Sequence, residues 1–329
     1  MSVIRFFLVS VMVLAMLVYL RGWFQLRASS PNSISALQLG SFMAGVMSVG
    51  SAVSPPLAAL DHRLLCMHMV QHLLMMTIGP PLILLGNPLL SFRHGLPLSF
   101  VRFVLDPFLH WTPTPRLGRF LDTPVFCWII ATAVLIGWHF PRSFDLAMHS
   151  ESWHAIECAS FLAAGVLFWM PVVLRWPSKA QCPRWSIPLY LFLATLPCDA
   201  LSAFLTFCGR VVYPHYLHQH RPLSFSALQD QEAAGALMWV LVTFVYLIPA
   251  VAATIKILSL SGAYRQQESL KDGDDADRVA VPFVATQLNG AGINTATDPS
   301  LLILGRDRRE ALQFEVSELP VGSRCHDMP

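Results

Sequence analysis

Apolar residues in this chain gather into seven long runs separated by polar stretches. The runs cover about Phe6 to Leu20, Ser35 to Ser54, Arg63 to Leu85, Pro124 to Phe140, Trp153 to Leu174, Ile187 to Cys208 and Ala233 to Leu258. A helix rises 1.5 Å per residue, so about 20 apolar residues cross the hydrocarbon of a bilayer. The pattern therefore predicts an all-α membrane protein, a bundle of about seven transmembrane helices. The first run, between Arg5 and Arg21, fits an uncleaved anchor better than a signal peptide, because no small-x-small cleavage site follows it. The second is rich in Gly, Ala and Ser, which let spanning helices approach closely, and Pro55-Pro56 ends it. In the third, Gly79-Pro80-Pro81 is expected to kink the second half. Between the third and fourth runs, Leu98 to Leu109 is expected to lie as a short amphipathic helix in the interface.

Beyond the last run the pattern stops. Lys271-Asp272-Gly273-Asp274-Asp275-Ala276-Asp277-Arg278 carries no helical period, and Leu301 to Leu304 is too short to span. The organisation read from the chain is an anchor segment at 1–30, a polytopic membrane domain at 31–260 and a soluble, largely disordered tail at 261–329. Composition agrees: 54% of residues are hydrophobic and 13% charged, against roughly 25% charged in a soluble domain. A net charge of +2 points to neither a nucleic acid nor a highly acidic partner. Seven cysteines without a CxxC pair exclude a zinc ribbon and a thioredoxin-like redox motif. Cys66, Cys158, Cys198 and Cys208 lie in or at the ends of apolar runs, as small packing residues do.

Basic residues flanking the runs give an orientation. One set of connections holds Arg21, Arg27, Arg93, Arg102, Arg116, Arg119, Arg175, Lys179, Arg184, Lys256, Arg265 and Lys271, twelve in all. The opposite set holds five: Arg5, Arg63, Arg142, Arg210 and Arg221. The first set is expected to face the cytoplasm, with the N-terminus outside and the tail inside. On that topology nine of the twelve histidines fall at the outer face: His62, His68, His72, His139, His149, His154, His215, His218 and His220. The orientation came from Arg and Lys alone, so this asymmetry is a separate observation. Glu157, Asp199, Asp230 and Glu232 fall on the same side, and no ionisable residue lies in the inner half of the second to sixth runs. A carboxylate in a membrane needs a partner, and these have histidines at similar depth.

The third run carries the chemistry: Cys66-Met67-His68-Met69-Val70-Gln71-His72-Leu73-Leu74-Met75-Met76. His68 and His72 are four apart and share a helical face, with Met75 and Met76 one turn on. His154, Glu157 and Cys158 share a face of the fifth run. Three readings fit. The polar groups can be structural, each bonded to a neighbouring carbonyl. Two histidines from different runs can sandwich a haem in a membrane redox protein, though nothing singles out such a pair. A copper site at the outer face fits best, because imidazole, thioether and thiol suit that metal and no charged path crosses the inner half. His68 and His72 are then the first ligands, His139 and His154 complete the site, and Glu157 orients a histidine or neutralises the ion. Met75, Met76 and Cys158 are alternative soft ligands. No residues are assigned to catalysis, and no enzyme activity is expected.

The motif His68-Met69-Val70-Gln71-His72, followed by Gly79-Pro80-Pro81 and Leu85-Gly86-Asn87-Pro88, resembles the signature of the CtaG-like cytochrome c oxidase assembly factors. Trp138-His139-Phe140-Pro141, His154 and Glu157 with Phe168-Trp169-Met170-Pro171, and Asp230-Gln231-Glu232 leading to Gly235-Ala236-Leu237-Met238-Trp239 extend the similarity over roughly Ser35 to Leu258. The resemblance implies a multi-pass protein of a bacterial inner membrane that helps mature a haem–copper terminal oxidase. Its implied partners are the oxidase subunits, periplasmic copper chaperones and the lipid bilayer. Cys158 stands where a His commonly follows the Glu in that family, and the tail has no counterpart there.

Overall fold

The computed structural model describes residues 3–30, 33–55, 57–107, 123–174, 185–219 and 226–290. The regular elements among them are helical: α1 (Val3–Ser29), α2 (Ala36–Val53), α3 (Leu57–Leu60), α4 (Leu65–Leu73), α5 (Gly79–Leu85), α6 (Pro88–Gly95), α7 (Leu98–Phe100), α8 (Pro124–His139), α9 (Pro141–His149), α10 (Glu151–Val173), α11 (Ser186–Phe207) and α12 (Ala227–Gly290). Among the described residues, six helical stretches are long and apolar enough to cross a membrane. The bent pair α8 and α9, meeting at 72°, supplies a seventh. The protein is thus an all-α, multi-pass bundle. The chain divides into two units, Met1–Leu258 and Ser259–Pro329, and the polar residues of interest lie in the first. In the second, the helix continues through residues 261–290, which carry the charged stretch read as disordered. Residues 291–329 lie outside the described residues.

The middle of the bundle is the third apolar run. In an apolar 18-residue stretch of the span Leu65–Leu85, 61% of residues are buried, against 17% in the corresponding stretches of Phe6–Ser29 and Ala227–Ser259. That span is not one regular helix. Leu74–Ile78 form a π turn between α4 and α5. Pro80 and Pro81 have no N–H to give to the preceding turn, and the Gly79 N–H reaches back five residues to Leu74 O. The expected irregularity therefore lies one turn before the prolines. The Thr77 hydroxyl donates to Leu73 O at 2.5 Å, taking up one of the loosened carbonyls.

Small residues set how closely the neighbours approach. A side chain on Gly45 of α2 would meet Ile83 N of α5 at 2.7 Å. On Gly165 of α10 it would meet Met76 O in the π turn at 2.6 Å. The Gly-rich second run thus packs as its composition predicts. On the far side of α2, α1 docks through Tyr19, stacked on Phe42 with ring centroids 3.8 Å apart, while its hydroxyl donates to Gly86 O at 2.7 Å. The first span is longer than its apolar run, continuing past Leu20 to Ser29, where Arg27 lies over the Trp23 ring. Leu98 to Leu109 begins helical as expected, with α7 leading into a π turn at Val101–Leu105. The cysteines Cys66, Cys127, Cys158, Cys198 and Cys208 are free thiols.

Candidate metal centre

The first turn of α4 decides where its histidines stand. Leu64 precedes the helix and offers no side-chain cap. Asp230, from the first turn of α12, accepts from Leu65 N at 2.7 Å and Cys66 N at 3.2 Å instead. A carboxylate that accepts from the first N–H groups of a helix, which have no partner within the helix, is a favourable arrangement in an apolar setting. Gln231, beside it, bonds Val212 N, Leu205 O and Arg210 O. The Asp230-Gln231 motif thereby fixes α4, α12 and the connection after α11 as one frame.

On that frame His68 and His72 point the same way, with their Nε2 atoms 2.7 Å apart. Glu157 of α10 completes a triangle: its Oε1 lies 3.2 Å from His72 Nε2 and 3.6 Å from His68 Nε2. The three are 0%, 5% and 1% exposed in the order His68, His72, Glu157. Neither Glu157 oxygen has a hydrogen bond of good geometry, and neither does the Nδ1 of either histidine. The two Nε2 atoms bond each other, and the Glu157 carboxylate faces that pair without a well-formed bond of its own. A tetrahedral ion with bonds of about 2.0–2.2 Å spaces its donors about 3.3–3.6 Å apart. The two Glu157 edges, 3.2 and 3.6 Å, come close to that, and the 2.7 Å His68–His72 edge has to open by about 0.6 Å to admit an ion.

The other expected ligands are divided. His139, at the C-terminal end of α8, has its ring 6.3 Å from that of His72. Its Nε2 lies 3.3 Å from Met69 Sδ, and its Nδ1 faces Leu135 O at 2.7 Å. His154 stands between the triangle and the helix ends. Its ring is 5.8 Å from that of His68, and its Nε2 lies 3.6 Å from Asp61 Oδ2 and 3.9 Å from Cys158 Sγ. Met76 lines a largely apolar cavity of about 540 Å³ together with Met69, His72, His139 and Cys198. Met75 is buried in the core and does not line that cavity. The π turn explains the split: an extra residue per turn takes Met75 and Met76 out of the strict α register with His68. Asp199 on α11 joins no ion pair with a histidine among the described residues, contrary to its expected pairing.

Sequence reasoning passed over Asp61, which is fully buried in the connection before α4, and the methionine nearest a histidine, Met69. Met69 follows His68 directly, and helical spacing alone did not mark it. The connection after α11 was also read only for its histidines. Its Tyr213 and Tyr216 close the site end of the bundle, donating to His139 O at 2.9 Å and Asp61 O at 2.8 Å. Burial pushes both phenols above their usual range, so they stay neutral donors. His215 lies in the same connection, its ring 6.5 Å from that of His62. His110, His220 and His326 lie outside the described residues.

No solved structure matches the chain. Two uncharacterised proteins, from Mycobacterium bovis and Mycobacterium tuberculosis, are each 23% identical to it over 225 residues, 67% of this chain and 34% of theirs. The chain thus spans about a third of the length of these curated relatives. The cytochrome c oxidase caa3 assembly factor family matches residues 17–259, starting within α1 rather than at Ser35 and reaching through the apolar part of α12. Every residue of the triangle falls within that match, and the chain belongs to this family.

Proposed function

We propose that the protein assembles its oxidase by binding copper at His68, His72 and Glu157 and handing it to the enzyme under construction. Copper here is cargo, not a resident cofactor. The observation that carries the reading is the buried triangle: two imidazole nitrogens 2.7 Å apart face one carboxylate oxygen that has no hydrogen bond of good geometry. A buried carboxylate so placed is costly in a membrane protein unless a cation or donor answers it. Met69 beside His139, with Met76 and Cys198 around the adjoining cavity, places further sulfur donors that copper accepts next to the triangle. The twelve-to-five asymmetry in basic residues supports a periplasmic site. The partners are then oxidase subunits and periplasmic copper chaperones, and the protein acts on another complex rather than turning over a substrate. A reporter active only in the periplasm is expected to work when fused after Ser150 and to be silent after Gly262.

The test is substitution at limiting copper. His68→Ala and His72→Ala are each expected to lower retained copper and oxidase activity about tenfold or more, while the protein still inserts. The double variant is expected to do little further damage, since ligands of one ion are not additive. His94→Ala, on the exposed end of α6, is the matched control. Full oxidase assembly in both single variants would refute the copper reading. A Soret band in the purified protein, in place of copper, would favour haem.

A further inference from the structure

The triangle is buried, and the cavity that meets it at His72 is largely apolar, so polar groups have to bring an ion in from elsewhere. His68 and Glu157 are essentially unexposed, while His62 keeps 37% of its side chain exposed and His149 keeps 68%. Between these extremes runs a chain of imidazoles. Ring centroids are 5.9 Å apart from His149 to His215, 6.5 Å from His215 to His62, 5.3 Å from His62 to His154 and 5.8 Å from His154 to His68. Midway, the chain passes a second carboxylate. Asp61 Oδ1 lies 3.9 Å from His62 Nε2, and Asp61 Oδ2 lies 3.6 Å from His154 Nε2. One ligand atom from each of these three residues falls within 4.8 Å of the other two.

Asp61 is fully buried, and its Oδ2 has no hydrogen-bond partner. Its other oxygen accepts from His62 N at 2.7 Å, which fixes the carboxylate so that Oδ2 faces His154. The connection cannot relax away from this arrangement, because Tyr216 holds Asp61 O and His215 Nε2 lies 3.3 Å from His62 O. A second approach, a cavity of about 370 Å³ lined by Glu151, Gln71 and Cys158, also meets His154 before His68.

We infer that Asp61, His62 and His154 form a second copper site, nearer the helix ends, which receives the ion and passes it through His154 to His68, His72 and Glu157. The inference rests on the copper reading of the inner triangle. Each step is ligand exchange: one metal–imidazole or metal–carboxylate bond forms as another breaks, and the ion keeps its oxidation state. The carboxylate and two imidazoles are the borderline, oxygen-containing set that suits a cupric ion. His154 is the shared element, bounded by Asp61 on one side and the His68 ring on the other.

The experiment uses the full chain in detergent micelles, dialysed against cupric ions buffered with glycine so that weak surface histidines stay empty. Copper per chain is measured by elemental analysis and by electron paramagnetic resonance. Asp61→Asn and His62→Gln are each expected to hold one ion fewer than the unaltered protein. His62→Gln, at a half-exposed position, guards against misfolding from the buried change. His68→Ala/His72→Ala is likewise expected to lose one ion and to keep the other. In stopped-flow loading, Asp61→Asn is expected to fill the inner site about tenfold more slowly or worse. If Asp61→Asn and His62→Gln hold as much copper as the unaltered protein, the second site is refuted while the inner reading stands. If only the His68/His72 variant holds as much, the inner reading fails. Equal loading rates would refute the transfer, and proton movement without copper binding would make the imidazole chain a proton path instead.

Discussion

Two corners of this bundle bury polar groups in opposite ways. Where α1 meets α2 and α6, polar groups are answered locally: Tyr19 hydroxyl by Gly86 O, Trp23 indole by Ser35 O, and the start of α2 by a reciprocal Ser35–Gln38 capping box. What stays without a hydrogen bond there is a neutral hydroxyl, Ser91. Where α4 meets α10, the atoms without a good hydrogen bond include, beside neutral ones on Gln71 and Trp169, carboxylate oxygens of Asp61 and Glu157 and ring nitrogens of His68 and His72. A hydroxyl left alone costs little beside a carboxylate left alone. The first corner is arranged for stability, the second for something that binds. The difference locates function more sharply than the histidine count does.

The largest effect expected in the first corner breaks the comparison if it fails. Tyr19→Ala removes a fully buried ring stacked on Phe42 and is expected to cost about 3–5 kcal/mol in unfolding measured in micelles. Copper per folded chain is expected to stay unchanged. A parallel loss of copper would show that the two corners are one cooperative unit. Next, Glu157→Gln inverts the pattern: copper retention is expected to fall about tenfold or more, with metal-free stability changed by no more than about 1 kcal/mol, because a neutral amide replaces a poorly answered buried carboxylate. A large loss of metal-free stability would make Glu157 a structural residue.

That contrast also marks what the sequence makes legible. Spans follow from hydropathy because a bilayer demands length and apolarity of each helix in isolation. His68 and His72 were legible because four residues is a local helical spacing, and Glu157 because it lies one turn from His154. Asp61 was not, since nothing periodic links it to His154 more than ninety positions away. The irregularity near Gly79-Pro80-Pro81 and the end of the fourth run before Pro141 were legible too, because proline removes an N–H and restricts the residue before it, whereas the π form of the first and the 72° turn into α9 were not. Asp230 was read as one more acid at the outer end of a span, whereas it caps α4 from another helix. Long-range capping leaves no spacing to find.

Asp230→Ala sharpens the boundary between the corners, because this residue serves stability inside the binding corner. Losing both bonds to the first turn of α4 is expected to cost about 1–2 kcal/mol and to weaken copper retention, since the freed turn carries the chain into His68. Unchanged copper retention would mean that the histidines are held by packing against α10 alone.

The smallest effect is the control on the whole contrast. Ser35 accepts from Gln38 N at 3.2 Å, while the Gln38 side chain accepts from Ser35 N at 2.8 Å, closing the start of α2 at its exposed end. Ser35→Ala removes one of these bonds where water answers the orphaned N–H, so the expected cost is about 0.5–1 kcal/mol. Copper retention is expected to match the unaltered protein, because α2 meets the helix of the histidines only at its other end, where Ala52 O accepts from Gln71 Nε2, and its close contact at Gly45 also lies well beyond the cap. Asp230→Ala and Ser35→Ala remove the same kind of interaction from two helix starts. If both lower stability but only Asp230→Ala lowers copper retention, the coupling belongs to α4 and not to helix caps in general. If Ser35→Ala lowers it too, the site depends on the stability of the whole bundle, and the division between a stabilising and a binding corner fails.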